Sequence, residues 1–178
     1  INKLRTGFIK TLIEMGGDIN IFNEQDVCGE TVADLKIKSS NLHGINIPSD
    51  RAPTMIDEYP IISIAACFAK GKTIMNGIKD LRNKETDRIK EVVDNLNRLN
   101  IKTKSSEDKM SIQGIESNYI EGGIEVDSKL DHRIAMSFLC LGLLSKNPIT
   151  VKNAETINSS FPDFCSSMKK IGAKINYV

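Results

Sequence analysis

Three times along the chain an amphipathic helix pattern runs into a helix stop and then a short strand pattern. The first spans residues 7–22 and stops at Gly16-Gly17, the second spans 88–104 and stops near Asn100, and the third spans 163–178 and stops at Gly172. Apolar residues before each stop recur at three- and four-residue spacing, as in Val92, Leu96 and Leu99 or Phe164, Met168 and Ile171. Gly or Asn just past the last turn is a natural helix stop, because either tolerates a left-handed backbone. Between these patterns lie two stretches that match each other. One reads as a strand at 32–38, a second near 45–47, Asp57, an apolar helix over 61–69 and a strand at 73–75. The other reads as a strand at 110–113, a second near 124–126, Asp131, an apolar helix over 134–144 and a strand at 149–151. Asp57 and Asp131 lie 74 residues apart, and the helix stops lie 84 and 72 apart. A strand-and-helix unit of roughly 75 residues therefore recurs, longer than solenoid periods of about 20–50 residues. The expectation is a pseudo-symmetric α/β domain rather than an open array.

Composition excludes several functional classes. The 24 basic and 23 acidic residues nearly cancel, so no global charge favours nucleic acid or a membrane surface, and any anion site must be local. The two longest apolar runs, 61–69 and 134–144, fall short of the roughly 20 residues that cross a bilayer, and read as core helices. There is no Trp, so the core is expected to be aliphatic. Cys28, Cys67, Cys140 and Cys165 are widely spaced, with no CxxC and only two histidines in the chain. Buried free thiols in a reducing, cytosolic setting are expected, with no metal site and no disulfide framework. The chain opens at Ile1 rather than Met and runs directly into a helix pattern, which raises the expectation of sequence upstream.

The unusual residues gather where helices begin, and a helix N-terminus attracts anions through its unpaired N–H groups and partial positive charge. In the run from Arg82 to Arg88, Asn83 is a plausible N-cap with the helix running on from Lys84. Lys84 and Arg88 then share a face, where two cations repel unless an anion lies between them. The alternative is a solvated helix end with local ion pairs. Asp131, His132 and Arg133 precede a nearly uncharged helix. Either Asp131 caps it with the other two in solvent, or His132 moves a proton and Arg133 forks a carboxylate or phosphate. Asp57 precedes Pro60, which suits a first helical turn. Asp57 is thus a cap or a proton acceptor held at a helix end. Ser160 or Phe161 stands at a cap position before Pro162, with Phe161 expected in the core. Equivalent helices of a pseudo-symmetric unit point the same way, so these N-termini can converge and sum their fields on a small, highly charged anion.

These segments also carry a resemblance. Residues 51–60 (Arg-Ala-Pro-Thr-Met-Ile-Asp-Glu-Tyr-Pro), 84–88 (Lys-Glu-Thr-Asp-Arg), 131–136 (Asp-His-Arg-Ile-Ala-Met) and 160–162 (Ser-Phe-Pro) occur in the order and spacing of the EPSP synthases. Arg5-Thr6-Gly7 and Glu14-Met15-Gly16 are similar to that family too. The Met-Ile-Asp-Glu-Tyr-Pro form looks like the bacterial class II subgroup. The resemblance covers nearly the whole chain, and its ordered set of motifs is more specific than any one of them.

The resemblance implies a two-domain enzyme, each domain an inside-out α/β barrel of three βαβαββ units. Residues 1–178 would form a single domain, the C-terminal part, with its first unit incomplete and the other domain absent. It implies transfer of the enolpyruvyl group of phosphoenolpyruvate to the 5-hydroxyl of shikimate 3-phosphate, with no cofactor and no metal. By motif position, Asp57 would accept the hydroxyl proton, and Glu85 would protonate the methylene carbon and later remove a proton. Lys84 would neutralise phosphate and share proton transfer. Arg88 and Arg133 would hold the carboxylate and phosphate of phosphoenolpyruvate, with His132 beside them. Partners would be the two small-molecule substrates and the missing N-terminal part. The full-length enzyme would be a cytoplasmic monomer. Two positions depart from the family pattern: Ser159 where many members carry Lys, and Asp80 where many carry Asn. The alternatives are a related UDP-N-acetylglucosamine enolpyruvyl transferase and an inactive fragment.

Overall fold

All three helix stops adopt the left-handed backbone, with φ of 95° at Gly16, 60° at Asn100 and 100° at Gly172. A computed structural model describes residues 1–176. In chain order the elements are α1 (Gly7–Glu14), β1 (Asp18–Val27), β2 (Glu30–Lys38), β3 (Asn46–Ile47), α2 (Tyr59–Cys67), β4 (Lys72–Asn76) and α3 (Arg88–Arg98). There follow β5 (Thr103–Ser105), β6 (Lys109–Gln113), β7 (Ile120–Gly122), β8 (Glu125–Asp127), α4 (His132–Gly142), β9 (Ser145–Asn147), β10 (Thr150–Lys152), α5 (Ile157–Ser160) and α6 (Phe164–Lys170). Short 3-10 turns occupy Ser49–Thr54, Ile56–Glu58 and Lys79–Asn83.

The repeat is visible in strand register. In the antiparallel β1–β2 hairpin Ile19 faces Ile37 and Ile21 faces Leu35. In the antiparallel β5–β6 pair Thr103 faces Ile112 and Ser105 faces Met110, so the two hairpins align with offsets of 84 and 75 residues. Each apolar helix is bracketed by parallel strands: α2 by β3 and β4, and α4 by β8 and β10. The sequence did not mark β7 and β9, which pair in parallel as a two-stranded sheet of their own. Their runs are short and interrupted by Gly122-Gly123 and Pro148. The strand expected after Gly172 does not form over residues 173–176, and the rest of that stretch lies outside the described residues.

Helices α2, α3 and α4 pack on one another, and the small sheets lie outside them: β6 against α2, β5 against α3 and β10 against α4. One aliphatic core runs through Ile47, Met55, Ile62, Ile89, Leu96, Ile112, Ile134 and Phe138, all fully buried. Each such side chain contributes about 1.5–3 kcal/mol by leaving water. A smaller cluster of Ala135, Ile157 and Phe164 fastens α5 and α6 to α4. Phe161 is exposed rather than in the core, because the chain turns there between α5 and α6. Ser160 ends α5 instead of capping, and Asp163 stands at the start of α6. The thiols are free, but only Cys67 is fully buried; Cys28 is exposed in the β1–β2 turn and the other two are half-buried. Burial pushes the Cys67 thiol up to about 12. Among the described residues no helix is long and apolar enough to cross a membrane.

Arg51 joins the first helix to this frame, its guanidinium forking Glu14 of α1 and also reaching Thr11 at 3.2 Å. At the other end of α2 the chain leaving β6 crosses the last turn at Gly114. A Cβ placed there would lie 1.7 Å from the Ala69 carbonyl oxygen. Gly114→Ala is therefore expected to destabilise the chain by roughly 1–3 kcal/mol, read as a lower urea midpoint with an unchanged m-value.

Candidate active site

The N-termini of α2, α3 and α4 meet at one guanidinium. Arg88, the first residue of α3, is only 2% exposed. Its Nε donates to Asp131 Oδ2 at 2.8 Å and its Nη2 to Asp131 Oδ1 at 3.3 Å. Its Nη1 donates to Asp57 Oδ1 at 3.1 Å, and Nη2 also donates to Glu85. A buried guanidinium needs such partners, because its charge loses the solvation of water.

Asp131 is fully buried and does two tasks. It caps α4, accepting from the backbone N–H of Arg133 at 2.9 Å and of Ile134 at 3.3 Å. It also accepts from Arg88 and, at 3.0 Å, from Thr86. Burial pushes the Asp131 carboxyl up, but Arg88, Thr86 and the Arg133 N–H together outweigh it and hold the group below the usual carboxylate range. The sequence read Asp131 as a cap only. Its second role arises from α3, 43 positions away, and no local spacing signals it.

Two local expectations are corrected here. The third helix begins at Arg88 with Asp87 as N-cap, not at Lys84 with Asn83. Asp87 wins because its side chain accepts from Lys90 N at 2.9 Å and is itself held by Arg82 at 2.7 Å. Lys84 is therefore extended, and its cation meets Arg88 through space rather than along one helix face. The anion between them is Asp57: Lys84 Nζ lies 3.3 Å, and Arg88 Nη1 3.1 Å, from the same Oδ1. Asp57 is not a cap either. It lies in the 3-10 turn Ile56–Glu58, one turn ahead of α2, and Pro60 takes the first-turn position as read.

Arg133 closes the cluster over Asp57. Its Nη1 donates to the Asp57 main-chain carbonyl at 2.9 Å and to Glu58 Oε1 at 3.1 Å. Arg5, from the segment before α1, lies 3.9 Å from Asp57 and 3.7 Å from Glu58. Four cations (Arg5, Lys84, Arg88, Arg133) thus face four carboxylates (Asp57, Glu58, Glu85, Asp131). Burial pushes the Asp57 carboxyl up, while Arg133, Lys84 and Arg88 overcome that and hold it below its ordinary value. His132 is the half-buried first residue of α4, and its side chain makes no hydrogen bond among the described residues. Asp57, Lys84, Glu85, Arg88 and Arg133 are therefore joined in one cluster, whereas His132 is linked to it only through its chain neighbours Asp131 and Arg133. No hydrogen bond or ion pair joins Ser159–Asp163 to it among the described residues. The sequence missed Arg5, Glu58 and Thr86 as members. Among the described residues no group of three His, Cys, Asp or Glu side chains could hold a metal ion.

Chemically, the cluster holds an ionised carboxylate, Asp57, among four cations, with a more exposed carboxylate, Glu85, beside it. It can take up a small polyanion once the cations exchange partners, and it can pass protons between two carboxylates and a lysine.

A family model described as EPSP synthase (3-phosphoshikimate 1-carboxyvinyltransferase) matches residues 1–168. The chain is 46% identical to the 3-phosphoshikimate 1-carboxyvinyltransferase of Rhizobium johnstonii, covering 100% of this chain and 40% of that protein. The protein of that name from Parvibaculum lavamentivorans is 47% identical, with 97% and 38% covered. The solved EPSP synthase from Acinetobacter baumannii superposes with a TM-score of 0.94 at 42% identity, over 99% of this chain and 41% of that one. The enolpyruvyl transferase NikO from Streptomyces tendae, at 16% identity and a TM-score of 0.73 over 98% of this chain and 36% of its own, shares the fold. The chain spans about two fifths of the length of the curated relatives it matches.

Asp131→Asn is expected to lower stability by on the order of 3–5 kcal/mol, because it leaves a buried cation under-compensated. Asp131 and Asp57 both have lowered folded values. Their stabilisation is complete above the unfolded carboxylate value of about 3.9 and is lost as pH falls through the lower folded values. Unfolding free energy should therefore drop below about pH 4 in the parent and drop less steeply in Asp131→Asn. A pH series of urea midpoints checks both.

Proposed function

This chain belongs to the EPSP synthase family, and from that premise we propose that it supplies the acid–base half of an enolpyruvyl transferase site. In this reading residues 1–178 form one domain, the C-terminal part of a two-domain cytoplasmic enzyme that acts as a monomer and needs no cofactor. The substrates are phosphoenolpyruvate and shikimate 3-phosphate. The observation that carries the reading is the single cluster at the starts of α2, α3 and α4, where Asp57 lies under Lys84, Arg88 and Arg133 with Glu85 alongside.

The chemistry is an addition followed by an elimination. The 5-hydroxyl oxygen bonds to C2 of phosphoenolpyruvate as its proton passes to Asp57 and C3 takes a proton from Glu85. The tetrahedral intermediate then loses a proton from C3 to Glu85, re-forms the C2=C3 double bond and breaks the C2–O bond to the phosphate, which leaves. Lys84 neutralises phosphate and shares proton transfer. Arg133 and Arg88 hold the carboxylate and phosphate, and His132 stands beside them. Helix N-termini stabilise charge as it develops.

The geometry supports a further point of mechanism. The cations that hold the Asp57 value down make it ionised but weakly basic in the free protein. Substrate anions that engage Lys84 and Arg133 weaken that pull, so the basicity of Asp57 rises when substrate is bound. Arg88 is fully committed to carboxylates. Glu85, the most exposed of its three partners, is the one whose movement frees Nη2 for a ligand.

The test is phosphate release from phosphoenolpyruvate by this chain joined to the N-terminal half. Release should require shikimate 3-phosphate, and UDP-N-acetylglucosamine should not replace it. Glu85→Gln and Asp57→Asn are each expected to lower kcat by about 10²–10⁴-fold. A well-folded joined protein that releases no phosphate would point instead to an inactive remnant.

A further inference from the structure

Glu58 carries a feature that neither its helix nor the core explains. It occupies the N-cap position of α2, yet its carboxylate accepts no backbone N–H from that helix. Oε1 accepts from Arg133 Nη1 at 3.1 Å and lies 3.7 Å from Arg5 Nη2. Oε2 is buried and has no hydrogen-bond partner among the described residues. A carboxylate held off its own helix end with one oxygen unpaired is costly, so the contact that holds it there has a purpose to be found.

We propose that Glu58 is a positioning residue for Arg133, fixing its guanidinium so that the Nη2 and Nε edge is presented to the phosphoenolpyruvate anion. Nη1 is pinned twice, to the Asp57 carbonyl at 2.9 Å and to Glu58. Nη2 lies 4.0 Å from Asp57 Oδ2 and makes no hydrogen bond among the described residues, nor does Nε. The pinned edge and the open edge are those of one planar fork, so holding the first orients the second. Arg88 provides the contrast: all of its nitrogens are taken by carboxylates and it is buried, whereas Arg133 is 30% exposed. The tether costs ligand affinity little, because Oε1 engages only the nitrogen facing away from the open edge. Pre-orientation instead spares the ligand the entropy of fixing a mobile side chain. This inference rests on the proposed substrate site for its catalytic meaning, but the tether itself is a separate physical claim.

The experiment uses the two-domain enzyme with Glu58→Ala, Glu58→Asp and Glu58→Gln. KM for phosphoenolpyruvate should rise about ten-fold in Glu58→Ala, with kcat changed far less. Glu58→Gln keeps an acceptor oxygen and should return KM to near the parent value. A second readout needs no turnover: modification of arginines by phenylglyoxal, mapped by peptide mass spectrometry. Arg133 should react several-fold faster in Glu58→Ala and Glu58→Asp than in the parent, with Glu58→Gln at the parent rate. Arg88 should stay protected throughout and report an intact fold. If Glu58→Ala exposes Arg88, the Glu58→Asp comparison decides, because its shorter side chain cannot span to Nη1. Unchanged Arg133 reactivity in both truncations overturns the tether, whatever the turnover. Unchanged KM for phosphoenolpyruvate in an active enzyme overturns its service to substrate. Faster Arg133 reactivity in variants of a protein that releases no phosphate supports the tether and removes the activity reading instead.

Discussion

The Arg88–Asp131 pair is the interaction on which the site depends. A guanidinium and a carboxylate removed from water are tolerable only when each satisfies the other, and here each also performs a second task. Asp131 caps α4 and Arg88 begins α3, so the pair joins two helix starts. Through Nη1 it reaches Asp57 ahead of α2 and brings in the third. The mutual packing of these helices and the positions of the proposed catalytic groups are therefore coupled. A change at Asp131 reaches Asp57 and Glu85 without touching either.

The repeat explains why the three starts coincide. Each apolar helix is bracketed by a parallel strand pair, and the β1–β2 and β5–β6 hairpins set equivalent positions opposite one another. Similar units place their helices in similar senses, so partial positive ends accumulate on one side. Asp57 and Asp131 remain ionised despite their burial, because cations pair with both and helix N–H groups also donate to Asp131. Within the cluster four cations face four carboxylates, so its local field comes from how balanced charges are arranged and not from a net excess.

The units are not equally finished. Met110 and Ile112 of β6 are buried against α2, whereas their counterparts Leu35 and Ile37 in β2 are exposed. The β1–β2 hairpin keeps the register of β5–β6 without an α2-like cover among the described residues. Hairpin pairing is thus set by local register and turn, while burial of its apolar face depends on what packs above it.

Periodicity and helix stops were enough to read off much of the secondary structure: the breaks at Gly16, Asn100 and Gly172, the two apolar helices, and most strands depend on residues close in sequence. The residue types at helix starts, together with the family resemblance, marked Asp57, Lys84, Glu85, Arg88, His132 and Arg133. What only tertiary structure decided is which charge meets which. Helix α3 starts four residues later than its local pattern suggests, because Asp87 finds both a backbone N–H and Arg82. Asp57 becomes the anion between Lys84 and Arg88, Asp131 becomes the buried anchor of Arg88, and Arg5 joins from the segment before α1. These partners are distant in sequence, and a charge selects its partner by distance and desolvation in the folded state, neither of which is written in local spacing.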